Sequence, residues 1–186
     1  MVGGRTSLRR DELVDAAFRR VAEVGFEGLR LRQVAEDVGI DHSTLHHHIA
    51  TKRELVEAVT AHTIRQLVDT APEQANPADG LRAHLAMLRR LMVERPELFT
   101  VTAELDLRAR RDPEMAAMLA DFESGWRAAL VDRIACGGTR VPPEPAAELV
   151  IAAVKGVRLA PDLAGTVFAQ LEALLLGAPD PERSKP

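Results

Sequence analysis

The sequence predicts an all-α protein, and three observations carry that prediction. Apolar residues recur at helical spacing in almost every segment, and no run alternates apolar with polar between hairpin turn residues. The breaks between periodic stretches fall at residues that end helices, among them Gly25, Gly39, Pro96, Pro113, Gly137-Gly138, Pro142-Pro143 and Pro161.

Leu13, Ala17, Val21 and Val24 form one stripe with Val14 and Phe18 beside it, which predicts a first helix over residues 9 to 24 closed by Gly25. The stretch LRLRQVAEDVGI puts Leu31, Val34, Ala35 and Val38 on one side of a two-turn second helix closed by Gly39. Asp41 offers a carboxylate to the free backbone N–H groups of the next turn, so a third short helix starts at His42 and runs to about His48. Thr51 and Glu54 have the spacing of a capping box and announce a fourth helix over 52–70, with Leu55, Val59 and Ile64 inward. Two short helices joined by a glycine-containing turn, behind a supporting helix, describe a helix-turn-helix.

The stretch APEQANPADG is rich in turn formers and reads as a connection. Five further helices are expected near 79–94, 96–109, 113–136, 144–159 and 162–176, about nine in all, and the tail APDPERSKP is expected to fray. The division expected is a helix-turn-helix domain over 1–53, joined by helix four to a helical body over 54–186.

Charge supports only a local nucleic-acid face. The net charge is −4, but residues 1 to 53 carry +1 and the remainder −5, so a basic patch has to be built from Arg5, Arg9, Arg10, Arg30, Arg32, Lys52 and Arg53. The single cysteine, Cys136, forms no internal disulfide and fits a reducing cytoplasm. No apolar run is long enough to span a bilayer, and the basic N-terminus leads into DELVDAAF rather than a secretory signal.

Four of the six histidines fall within residues 42 to 49, HSTLHHHI. On a helix His42 and His46 share a face, Ser43 and His47 share another, and His48 points elsewhere. A zinc site needs further ligands that no nearby Cys or HExxH-like spacing supplies, so no metal and no cofactor is expected. No nucleophile, metal set or phosphate loop has workable spacing, which argues against an enzyme.

Residues 11 to 59 resemble the DNA-binding domain of TetR-type transcriptional regulators without a gap. The resemblance is carried by Ala16-Ala17, Gly25-Phe26, Val34-Ala35, Gly39-Ile40, Thr44-Leu45, and Lys52 followed by Glu54-Leu55. It implies that the third helix enters the major groove, with His42, Ser43, Thr44 and His47 at base edges and His46 and His48 nearer the backbone, while Leu45 and Ile49 point inward. Arg32 and Lys52 would meet phosphates. Three positions depart from the family pattern: Arg30 stands where Thr or Ser usually caps helix two, His46 where Tyr is usual, and Ile49 where an aromatic is usual. Arg30 can still reach a phosphate.

The resemblance further implies a homodimer through the last two helices, with Leu149, Val150, Ala153, Val154, Val157, Leu163, Val167, Leu171 and Leu174 as their apolar positions, and two recognition helices on a palindromic double-stranded operator. It also implies an effector cavity among the middle helices, where Met92, Phe99, Met118, Phe122 and Trp126 would hold a small, largely apolar molecule. Arg89, Glu104 and Arg108 are read as solvated. The function so read is a repressor released by its effector; the alternative is a DNA-binding regulator whose body binds a protein partner.

Overall fold

The computed structural model describes residues 3–69, 80–137, 139 and 141–177. Among them are nine α-helices: α1 (Gly3–Gly28), α2 (Leu31–Asp37), α3 (His42–His46), α4 (Lys52–Asp69), α5 (Gly80–Glu94), α6 (Pro96–Ala109), α7 (Pro113–Cys136), α8 (Pro143–Leu159) and α9 (Ala164–Leu176). The all-α expectation holds, and most boundaries fall within a residue or two of those predicted. The predicted 71–80 connection, up to Gly80, and the tail from residue 178 lie outside the described residues. Within these residues no helix is long and apolar enough to cross a membrane.

The first helix departs most from expectation. It begins at Gly3, six residues early, and does not stop at Gly25 but kinks there, with φ 67° and ψ 174°. Val24 is 49% exposed rather than part of the buried stripe, because the kink turns Phe26 and Leu29 into the core after Val21. A Cβ at Gly25 would come within 2.9 Å of Glu104 Oε2.

The chain forms two compact units. The first comprises α1 to α4 together with Glu97–Ala116, and the second comprises α5, the rest of α7, α8 and α9. In the first, α1 packs on α4 and α2, and α2 on α3. Its core is Leu13, Ala17, Val21, Phe26, Leu29, Val34, Ala35, Leu45, Ile49, Leu55 and Val59, all within 2% of full burial. Burying each of the larger of these side chains stabilises the unit by about 1.5–3 kcal/mol.

Two threonines in α4 are fully buried without a polar partner from another element being needed. Thr60 Oγ1 donates to Val56 O at 2.8 Å and Thr63 Oγ1 to Val59 O at 2.7 Å, so each hydroxyl is satisfied one turn back. Glu104 and Arg108, read from sequence as solvated, serve this unit's packing. The Phe26 N–H donates to Glu104 Oε2 at 3.4 Å, and the Arg108 guanidinium lies 5.7 Å from the Phe26 ring centroid.

In the second unit α9 packs on α5 and α8. Its core draws on Leu81, Leu85, Leu130, Ile134, Val150, Val154, Phe168, Leu171 and Leu175. Ion pairs Arg82–Glu172, Glu123–Lys155 and Arg127–Glu148 link its elements. The apolar positions of the last two helices divide: Val150, Val154, Val157 and Leu171 are buried within the chain, whereas Leu149, Leu163 and Leu174 are 39%, 54% and 54% exposed.

Candidate nucleic-acid interface

The turn between α2 and α3 is fixed by its backbone. Val38 caps α2, Gly39 takes φ 72°, the Gly39 N–H donates to Glu36 O at 3.1 Å and the Ile40 N–H donates to Ala35 O at 3.0 Å. This pairing closes a helix with a left-handed residue that glycine occupies without strain. Arg20 clamps the other side: its Nε and Nη2 donate to the two Asp37 oxygens, each at 2.6 Å, tying α1 to the end of α2. That hydrogen bond holds the Asp37 carboxyl below its ordinary pKa.

Asp41 then starts α3. Its Oδ1 accepts from the Thr44 N–H at 2.8 Å and from the Ser43 hydroxyl, and its Oδ2 accepts from the Thr44 hydroxyl at 2.8 Å. These donors, Ser43 first, push the Asp41 carboxyl far below the usual carboxylate range. The helix itself is shorter than expected: His47 caps it, and His48 lies beyond it, because Leu45 O receives both the His48 and Ile49 N–H groups as the chain leaves the helix.

Leu45 and Ile49 are fully buried, as expected, and this anchors α3 from beneath. His42, Ser43, His46 and His47 are exposed, and Thr44 and His48 are half-buried. The His42 and His46 rings meet edge to face with centroids 4.6 Å apart. His46 Nδ1 lies 3.1 Å from Ala50 O; a carbonyl only accepts, so Nδ1 carries the proton. Among the described residues no group of three or more His, Cys, Asp or Glu side chains is arranged to hold a metal ion.

The start of α4 is capped on both sides. The Glu54 N–H donates to Thr51 Oγ1 at 3.1 Å, and Glu54 Oε2 accepts from the Ala50 N–H at 2.8 Å, one residue earlier than in an ordinary capping box. Arg10 of α1 reaches Glu54 Oε1 at 3.1 Å. Lys52, in the first turn, is half-buried, and its ammonium is held below its ordinary pKa by burial and then by the charges of Arg30 and Arg108.

The basic patch expected from sequence is smaller than its residue list. Arg9 pairs with Glu12, Arg10 with Glu54, Arg32 with Glu36, and Arg53 with Glu57 and Glu114. Three- and four-residue spacing places Glu12, Glu36 and Glu57 beside their arginines on one helix, whereas Glu54 and Glu114 reach across from other helices. The Arg5 side chain lies outside the described residues. Arg30 is the N-cap of α2 without a side-chain cap, and its guanidinium folds back to donate to Glu27 O and, at 3.2 Å, to Leu29 O.

Residues 13–59 match the family model of bacterial regulatory proteins of the tetR family. The chain is 33% identical over 88 residues to the HTH-type transcriptional regulator BetI of Brucella suis, covering 45% of this chain and 44% of that one. It is 28% identical over 118 residues to the HTH-type transcriptional repressor AcnR of Corynebacterium efficiens, covering 62% and 58%. Residues 13–59 belong to the TetR family's N-terminal module. It spans about half the length of these relatives, which are named as regulators rather than enzymes. A solved structure shares the fold: AibR, solved with isovaleryl coenzyme A and operator DNA, superposes with a TM-score of 0.74 at 19% identity, over 91% of this chain and 98% of that one.

The residues expected to line an effector site divide between the units. Met92, Met118, Phe122 and Trp126 lie in the second unit, Met92 buried and the other three half-buried, and Phe99 is buried in the first. Sequence reading missed His84, which is buried in α5 and accepts a hydrogen bond from Trp126 Nε1–H at 3.2 Å. A lone histidine between apolar neighbours carried no pattern that distinguished it.

Proposed function

We propose that the chain is a ligand-responsive transcriptional repressor that works in the cytoplasm as a homodimer on a palindromic operator. Residues 1–53 bind DNA and residues 54–186 regulate. The observation that carries the DNA reading is α3 itself: a short helix pinned at its start by Asp41 and beneath by Leu45 and Ile49, with His42, Ser43, His46 and His47 on its open side.

The hydrogen bonds within α3 bear on which bases it reads. The Ser43 and Thr44 hydroxyl protons go to Asp41, so Ser43 Oγ and Thr44 Oγ1 are left as acceptors. Donors in the major groove are the amino groups of adenine and cytosine, which makes these the bases opposite α3. His46 and His48 stand nearer the backbone. Lys52, Arg30 and Arg32 meet phosphates; a phosphate adds negative charge beside the half-buried Lys52 ammonium, whose pKa burial and the charges of Arg30 and Arg108 lower.

Exposed Leu149 of α8, Leu163 in the turn before α9 and Leu174 of α9 supply the partner-facing side, and two-fold pairing sets two α3 helices for a palindrome. The effector is a small, largely apolar molecule bound near Met92, Met118, Phe122 and Trp126, with Phe99 assigned to packing. The complex of AibR with both an acyl coenzyme A and operator DNA, and the naming of AcnR as a repressor, support this reading. Effector and DNA weaken each other's binding by the same factor.

Selection of bound duplexes from a random pool tests the proposal. The expected product is a palindrome with adenine or cytosine amino groups in each half-site, and the half-sites about 10 base pairs, or a multiple, apart. No preference for any duplex over bulk competitor at low salt would overturn it.

A further inference from the structure

His84 is 4% exposed, and its Nε2 accepts from the Trp126 indole N–H at 3.2 Å, with the rings tilted by 52°. An indole N–H only donates, so Nε2 carries no proton and the neutral ring is the Nδ1–H tautomer. The Nδ1–H is therefore a fixed donor. It is buried, and among the described residues nothing accepts from it. Burial, and secondarily the charge of Arg133, lower the His84 pKa to about 4, so the ring stays neutral at pH 7.

The buried neighbours one turn away on the two helices are apolar. Leu81 and Leu88 flank His84 one turn away on α5, Leu130 lies one turn beyond Trp126 on α7, and all three are buried. Arg133 donates to Ala129 O at 3.1 Å and adds a positive field that favours an electron-rich oxygen over a cation.

We propose that His84 Nδ1–H is the polar end of the effector site, donating to one carbonyl or carboxylate oxygen of a small, otherwise apolar molecule. This rests on the reading of the chain as ligand-responsive and adds the effector's chemical class. A ligand whose only polar group is an amine or ammonium offers no acceptor to Nδ1–H and meets the charge of Arg133, and is rejected.

The test uses three seven-carbon probes, heptanoate, 2-heptanone and heptylammonium, titrated into the full chain and followed through Trp126, the only tryptophan. Heptanoate and 2-heptanone are expected to bind at least about tenfold more tightly than heptylammonium, the worth of one buried hydrogen bond. His84→Leu is expected to erase that order. His84→Asn, whose side-chain amide keeps an N–H near the position of Nδ1, is expected to retain it. No binding of heptanoate to the wild type, or an unchanged order in His84→Leu, overturns the assignment.

DNA release is measured on the same samples with the selected duplex. Release by a probe that survives in His84→Leu sinks the His84 site while leaving the regulator reading in place. Oxygen-dependent binding through His84 with no effect on DNA does the reverse.

Discussion

Asp41 grips Thr44 twice, accepting from its backbone N–H and from its hydroxyl, each at 2.8 Å. Asp41→Ala should therefore lower the urea midpoint of the full chain, with Asp41→Asn in between because the amide oxygen still accepts. The folded-state carboxyl titrates well below its ordinary value of 3.8, so the cap's contribution is complete above about pH 4 and is lost as pH falls further. The midpoint gap between wild type and Asp41→Ala should narrow between pH 5 and pH 2.5. An equal gap at both ends would contradict the cap.

Gly39 and Gly25 both have positive φ but differ in surroundings. Nothing lies within 4 Å of a Cβ at Gly39, so Gly39→Ala should cost only the backbone strain, about 1–2 kcal/mol by thermal or urea unfolding. Gly25→Ala adds a 2.9 Å approach to Glu104 Oε2 and should cost more. In a Glu104→Ala background the excess at Gly25 should shrink while the Gly39 penalty stays the same.

His47→Ala and Lys52→Ala should weaken DNA binding in different ways. The first should lose about 1–3 kcal/mol on the selected operator and little on random duplex. The second should weaken both alike and reduce the slope of log affinity against log salt by about 1. Binding isotherms at several salt concentrations separate the two.

Stability should depend on pH through His84. Its pKa of about 4 in the folded chain lies below the ordinary 6.5, so the unfolded chain takes up the proton first. The stabilisation is complete above pH 6.5 and is lost as pH falls towards 4, by about 3 kcal/mol in all. Urea unfolding between pH 7 and pH 4 should show a shallower decline for His84→Leu than for wild type.

Leu163→Glu with Leu174→Glu should convert the chain to a monomer in sedimentation and weaken operator binding, since both side chains are 54% exposed and charge there costs the single chain little. Val154→Glu, at a position 1% exposed, should instead unfold the second unit.

The sequence made the helices legible because their caps are local. Asp41, Gly39, Thr51 and Glu54 each act within five residues, and the structure uses all four at the termini where they were placed. What stayed hidden depends on distance along the chain. Glu104 is 78 residues from the Phe26 N–H that it accepts, and no periodicity in α6 reveals that contact. The kink at Gly25 looked like a helix end because a left-handed glycine serves equally for either. His84 and Trp126 lie 42 residues apart, and only the packing of the second unit joins them. The charged patch was overcounted because Arg9, Arg32 and Arg53 were read without the carboxylate three or four places on, and Arg10 without the distant Glu54.

Glu97–Ala116 belongs to the same compact unit as α1 to α4, and Glu104, Arg108, Glu114 and Met115 all touch that headpiece. The headpiece is thus discontinuous in sequence. A hybrid that grafts only its N-terminal stretch onto a foreign sensor strips away a wall of its own core, so operator specificity should transfer intact only when the distant strip travels with it.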